Sequence, residues 1–215
     1  MLFRSLKSKY LVKHTYIRIH YSFTTLTTMK KILILSLIVV SNSLFAQLPE
    51  HLEGKMTYPV FDFHEWVGVA KTKAKALKYD KDLDYKIVVD VTDKVSDSTK
   101  VMSTLLEVAR TYNLNIANGV PKRKLKMAVV VHGGAFYGIL NDEAYQEKYG
   151  TTNPNLEAIK IMKKEGVEFY VCSQILSFRN TPPENISKDI EIAVSAKTAL
   201  ITLDQMGYTY MNVNN

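Results

Sequence analysis

The run Met127-Ala128-Val129-Val130-Val131 leaves a strand no face for water. A strand with one solvated side alternates apolar and polar residues, whereas an unbroken apolar run is covered on both sides, as in parallel sheets between two layers of helix. Two further runs, Tyr85 to Val91 and Val167 to Cys172, are rich in β-branched and aromatic residues and read as strands of the same sheet. Between the first two, Val101, Met102, Leu105, Leu106, Val108, Ala109 and Tyr112 recur with a period near 3.6 behind Asp97-Ser98, which predicts a helix capped at that pair. Asn153-Pro154, the stripe Leu156, Ile159 and Met162, Lys163-Lys164 and Gly166 predict a second helix feeding the Val167 strand. Residues 141–150 read as a polar connection, and Gln174 to Arg179 as one more helical turn. Ile190 to Val194 is a fourth strand, Ser195 caps a helix through Leu203 and Met206 to Gly207, and Tyr208 to Met211 is a fifth strand. Strands alternating with helices predict an α/β fold with a mainly parallel five-stranded sheet and helices on both faces.

The chain has a formal net charge of +7, from 28 basic and 21 acidic residues. Seven of the basic residues, Arg4 to Lys31, fall before residue 47, where there is no acidic residue, so the rest is balanced at 21 against 21. That excludes the clustered basic face needed to neutralise a phosphate backbone, and no nucleic-acid partner is expected. Met29-Lys30-Lys31, the apolar stretch from Ile32 to Val40, and the segment ending at Ala46 have the three parts of a secretory signal. Cleavage is expected after Ala46, with a periplasmic or secreted product. Residues 1–28 read as an extension upstream of the natural start at Met29, or alternatively as a transit peptide. The apolar stretch is shorter than the roughly 20 residues of a membrane span, so no span is expected in the mature protein.

Residues 47–84 read as an N-terminal arm, carrying the patch Phe61-Asp62-Phe63-His64-Glu65-Trp66, and residues 85–215 as the α/β domain. The patch suits packing or a subunit contact, because aromatics dominate both. His64-Glu65 lacks the second histidine of a zinc-protease helix, and no metal site or cofactor motif is read elsewhere.

Chemistry is carried by two strand ends. Cys172, the only cysteine, closes the Val167 strand, and ligands of open α/β sheets bind beyond the carboxyl ends of strands. A lone cysteine there is either a nucleophile or a packing residue. His132-Gly133-Gly134 closes the central strand, where a histidine is a site residue or a structural one, and glycine amides can face an anion. An esterase reading fails, because no Gly-x-Ser-x-Gly elbow is present. The parallel arrangement predicts that His132 and Cys172 share one pocket, with Ser195 near its rim and the amides after Gly133 and Ser173 available to an anion.

Five segments carry a resemblance: His132-Gly133-Gly134-Ala135, Asn153-Pro154-Asn155-Leu156, Gly166 to Gln174, Ser195 to Leu200 and Gln205-Met206-Gly207-Tyr208. In order and spacing they resemble the DsrE/DsrF-like (YchN-like) family, over roughly Tyr85 to the C-terminus. The resemblance implies a three-layer α/β/α fold, assembly into trimers or hexamers, and a cysteine at position 172 able to carry a persulfide. In the exported branch that cysteine is commonly followed by glycine and glutamine. Here Ser173 stands in place of the glycine and Gln174 follows. Two functions follow as expectations. One is sulfur transfer through Cys172, with a small sulfur-containing ligand. The other is a non-catalytic oligomeric module of the cell envelope that binds a small ligand or protein.

The leader reading predicts that protein recovered from the periplasm or medium begins at Gln47. N-terminal sequencing checks it, and recovery of residues 1–28 on that product overturns it.

Overall fold

The computed structural model describes residues 48–74 and 76–214. The leader expected over residues 1–46 lies outside them, and residues from Leu48 onward form a compact unit of their own.

The main sheet is built from β3 (Tyr85–Val91), β4 (Leu125–Val131), β5 (Val167–Cys172), β6 (Glu191–Ala193) and β7 (Thr209–Asn212), in the spatial order β6-β5-β4-β3-β7. Every pairing is parallel. The chain steps outward from β3 to β6 and then crosses back to place β7 on the far side of β3, so the strand order reverses beside β3. Side chains alternate across the sheet and divide the core in two. One face presents Val89, Val91, Met127, Val129, Val131, Phe169 and Val171 to α1 (Ser103–Ala117), α3 (Asn155–Lys164) and the N-terminal segment. The other presents Val88, Ala128, Val130 and Cys172 to Ala196 and Leu203 of α5 (Ala196–Gln205). The result is a three-layer α/β/α fold. Met127, Val129 and Val131 are buried on the first face and Ala128 and Val130 on the second, as the unbroken run requires.

Two helices differ from expectation. α1 starts at Ser103 and not at the Asp97-Ser98 pair, because Asp97 Oδ1 accepts from its own turn at Thr99, and the Met102 amide donates to Asn155 Oδ1 on α3 at 2.8 Å. A tertiary hydrogen bond thus replaces the local cap. Residues 141–150, read as a polar connection, contain α2 (Asp142–Tyr149), capped by the Asn141 side chain on the Ala144 amide and ended by Gly150 at φ 74°. Only Tyr145 on this helix is buried, so it carries no apolar stripe for a periodicity to reveal. α4 (Ser173–Phe178) follows β5 without a linker.

The segment before β3 packs on α1 through Glu65–Val67 and Val69–Ala70. β1 (Met56–Thr57) and β2 (Val69–Ala70) pair antiparallel, and Phe61 and Val67 between them are fully buried. The Phe61 ring lies 5.0 Å from that of Tyr112, so this part of the aromatic patch is packing. Buried Asn113 secures the loop: its Oδ1 accepts from the amides of Val60 and Phe61, and its Nδ2 donates to the carbonyls of Phe61 and Val67. Removing the amide strands several buried backbone groups, each costly without a partner. Asn113→Ala is expected to lower unfolding free energy by about 3 kcal/mol and to expose residues 48–84 to protease. Urea unfolding and limited proteolysis check this, and wild-type stability in the variant contradicts it.

Candidate functional site at the carboxyl edge of the sheet

Parallel pairing brings the strand ends to one edge. Val91, Val131 and Val171 lie in register across β3, β4 and β5, and Cys172 pairs with Ala193 of β6. The His132 amide donates to the Val91 carbonyl at 3.0 Å, extending the ladder one residue past β4. His132 therefore stands opposite Cys172 on the neighbouring strand, about 4.8 Å away along the hydrogen-bonding direction. Alternation puts Asp90, His132 and Cys172 on the same face, the one covered by α5.

The imidazole reaches toward β3. Its Nε2 lies 2.8 Å from Asp90 Oδ1, and Tyr210 of β7 donates its hydroxyl to Asp90 Oδ2 at 2.9 Å. The Asp90 side chain is 13% exposed. Burial alone raises its pKa, but the hydrogen bonds from His132 and Tyr210, with the attraction of the imidazole, outweigh that and hold it below the ordinary carboxylate value. The same bond raises the pKa of the Tyr210 hydroxyl. Asn214 closes the corner: its Nδ2 donates to the Asp90 carbonyl, and its Oδ1 accepts from the amides of Thr92 and Asp93. Asp90 and Tyr210 belong to β3 and β7, the pair beside which the strand order reverses, where open α/β sheets form a crevice. Sequence reasoning missed Asp90, Tyr210 and Asn214. The available signal was Asp90 itself, an acid inside a β-branched strand destined for the sheet interior.

Cys172 is 8% exposed and is the residue from which α4 starts, its side chain part of the core cluster that includes Ala196 and Leu203 of α5. No hydrogen bond joins His132 to Cys172. The Ser173 hydroxyl and Gln174 Nε2 both donate to the Val194 carbonyl, at 2.7 and 3.2 Å, so these side chains tie α4 to the turn after β6. Ser195, two residues past the partner of Cys172, accepts from the Thr198 amide while the Thr198 hydroxyl accepts from the Ser195 amide, a complete capping box. Its hydroxyl is committed to α5.

The amides expected to face an anion after Gly133 already have a partner within the chain. Gly133 turns the chain at φ 59°, and the amides of Gly134 and Ala135 both donate to the Thr92 carbonyl, at 2.9 and 3.1 Å. They are spent on the β3 loop. A Cβ on Gly134 would sit 2.8–2.9 Å from Lys94, so glycine at 134 serves close backbone packing. Among the described residues no cluster of three or more His, Cys, Asp or Glu side chains is placed to hold a metal ion.

A groove of about 890 Å³ runs along the same face toward the amino ends of the strands, lined among others by Lys126, Glu168, Tyr170, Thr202, Met206 and Tyr208. Neither Cys172 nor His132 lines it.

The model of the DsrE/DsrF-like family matches residues 86–213, from the second residue of β3 to just past β7. The chain belongs to that family. The match takes in Asp90, His132, Cys172 and Tyr210 and leaves out the segment that packs on α1. Among solved structures, the chain is similar to a protein of unknown function, MTH1491 from Methanobacterium thermoautotrophicum, at 16% identity over 60% of this chain and 99% of that one, with a TM-score of 0.45. No curated protein matches the chain.

Proposed function

We propose that this member of the family is an exported sulfur carrier in which Cys172 accepts a sulfane sulfur and holds it as a persulfide. The observation that carries the reading is that Cys172 and His132 each follow the paired residues Val171 and Val131 at one edge of the sheet, with the imidazole bound to Asp90. A thiolate is the reactive form, and an imidazole beside a helix start favours it. In the step itself the Cys172 thiol yields its proton to a base, and the sulfur attacks the outer sulfur of a donor persulfide. One S–S bond forms as the donor's breaks. The donor leaves as a thiolate and takes up the proton, so sulfur moves with no net oxidation.

A second reading, a non-catalytic module of the cell envelope that binds a small ligand or a protein, is favoured by two observations. Cys172 is nearly buried, and the groove beside α5 is lined without it. Either function suits a homo-oligomer, a trimer or hexamer. Val194 after β6, Ile201 on α5, Met206 just past it and Tyr210 on β7 leave large apolar side chains exposed.

The folded protein, treated with glutathione persulfide, is expected to gain one sulfur atom at Cys172 by mass spectrometry and to weigh more than one chain by light scattering at micromolar concentration. A His132→Gln variant is expected to shift the pH profile of Cys172 alkylation upward. A thiol that stays unmodified in the folded protein rules out the carrier and leaves the binding module.

A further inference from the structure

We propose that Asp90 and Tyr210 are positioning residues for the chemistry of Cys172, holding the His132 imidazole with its proton on Nε2 so that Nδ1 is the base for the thiol. The inference rests on the thiol reading above and adds the residues that make the histidine competent.

The argument starts from what a carboxylate can do. Asp90, with its acidity increased by its two partners, is ionised at neutral pH and only accepts hydrogen bonds. At 2.8 Å from Oδ1, His132 Nε2 must therefore carry the proton, and in the neutral ring the lone pair is left on Nδ1. The two nitrogens lie on opposite edges of an imidazole. Nε2 is taken by Asp90 on β3, which leaves Nδ1 as the ring nitrogen not bound to that carboxylate, and β5, which carries Cys172 one residue past the Val131–Val171 pair, is the neighbour of β4 on the side away from β3. Tyr210 fixes the carboxylate by occupying Oδ2, so Asp90 cannot rotate away from the ring without losing a second bond. When the thiol proton moves from Sγ to Nδ1, the ring becomes an imidazolium hydrogen-bonded to a carboxylate, and that charge stabilises the thiolate beside it.

The other ionisable groups on this face include Lys86 and Lys126, near the amino ends of their strands, and Glu191, which pairs with Tyr170. Glu168, Tyr170 and Tyr208 stand along the groove toward the amino ends of the strands, and burial first, then Glu168, raises the Tyr170 hydroxyl to about 12, leaving it neutral. On α5, Lys197 and Asp204 are exposed. α4 carries no charged residue. The imidazole is thus the ionisable side chain that follows the Val131–Val171 pair on the strand beside the thiol.

The test is the rate of Cys172 alkylation by iodoacetamide against pH, in the full folded chain. An Asp90→Asn side chain can offer an N–H to Nε2, which forces the ring proton onto Nδ1 and removes the base. The expected result is a rate near neutral pH lower by at least about tenfold, with the midpoint moving up toward the ordinary thiol value near 8.5 and the alkaline plateau retained. Tyr210→Phe, a conservative change at a half-exposed position, is expected to move the midpoint the same way by less and keeps the test informative if Asp90→Asn does not fold. A profile that superimposes on wild type, or a lowered plateau with an unmoved midpoint, overturns the proposal, the second because it marks a merely structural role. Uptake of sulfur from glutathione persulfide by the wild type is scored separately. A shifted midpoint without uptake sinks the carrier function and leaves the positioning intact, whereas uptake with an unmoved midpoint does the reverse.

Discussion

Everything in this molecule depends on the burial of β4 on both faces. Its six apolar residues remove both sides of the central strand from water, at roughly 25 cal/mol per Å² of apolar surface covered, and only a layer of helix on each side provides that cover. Helices on both sides require crossover connections, and crossovers make the neighbouring strands parallel. Parallel strands end at one edge. The chemistry of the edge is therefore a by-product of how the core is covered: whatever residues stand at the carboxyl ends of β3, β4 and β5 are brought side by side, although 42 positions separate Asp90 from His132.

Polar residues at such an edge are expensive unless they satisfy one another. Asp90 meets the condition with a hydrogen bond on each carboxylate oxygen and a third, through its carbonyl, from Asn214. Burial would otherwise raise its pKa, and the net lowering shows that the partners prevail. The C-terminal strand is thereby joined to the site. Tyr210 and Asn214 come from the last six residues, and through them the strand that completes the sheet also orients the carboxylate that holds the histidine.

Much of the fold was legible in the sequence because its signals are local. The β-branched runs, the stripe of α3 and the Ser195 cap of α5 each depend on residues a few positions apart, and strand ends at Cys172 and His132 follow from them. What was not legible depends on contacts across the chain. The start of α1 is set by Asn155, more than 50 positions away, and α2 turns only one residue into the core. The amides after Gly133 read as open to an anion, yet those of Gly134 and Ala135 donate to the Thr92 carbonyl, a partner that appears only once β3 and β4 are paired. Asp90 read as one polar residue in a strand, and its importance emerged with Tyr210, 120 positions later.

The central claim is that Asp90 fixes the proton of His132 on Nε2 and turns Nδ1 to the thiol. Nitrogen NMR of the His132 imidazole reads both parts, with His132→Gln assigning the signal. The account predicts a neutral ring protonated at Nε2 and an Nδ1 resonance that moves when Cys172 is alkylated. A ring protonated at Nδ1, or an Nδ1 resonance indifferent to the state of Cys172, would contradict it.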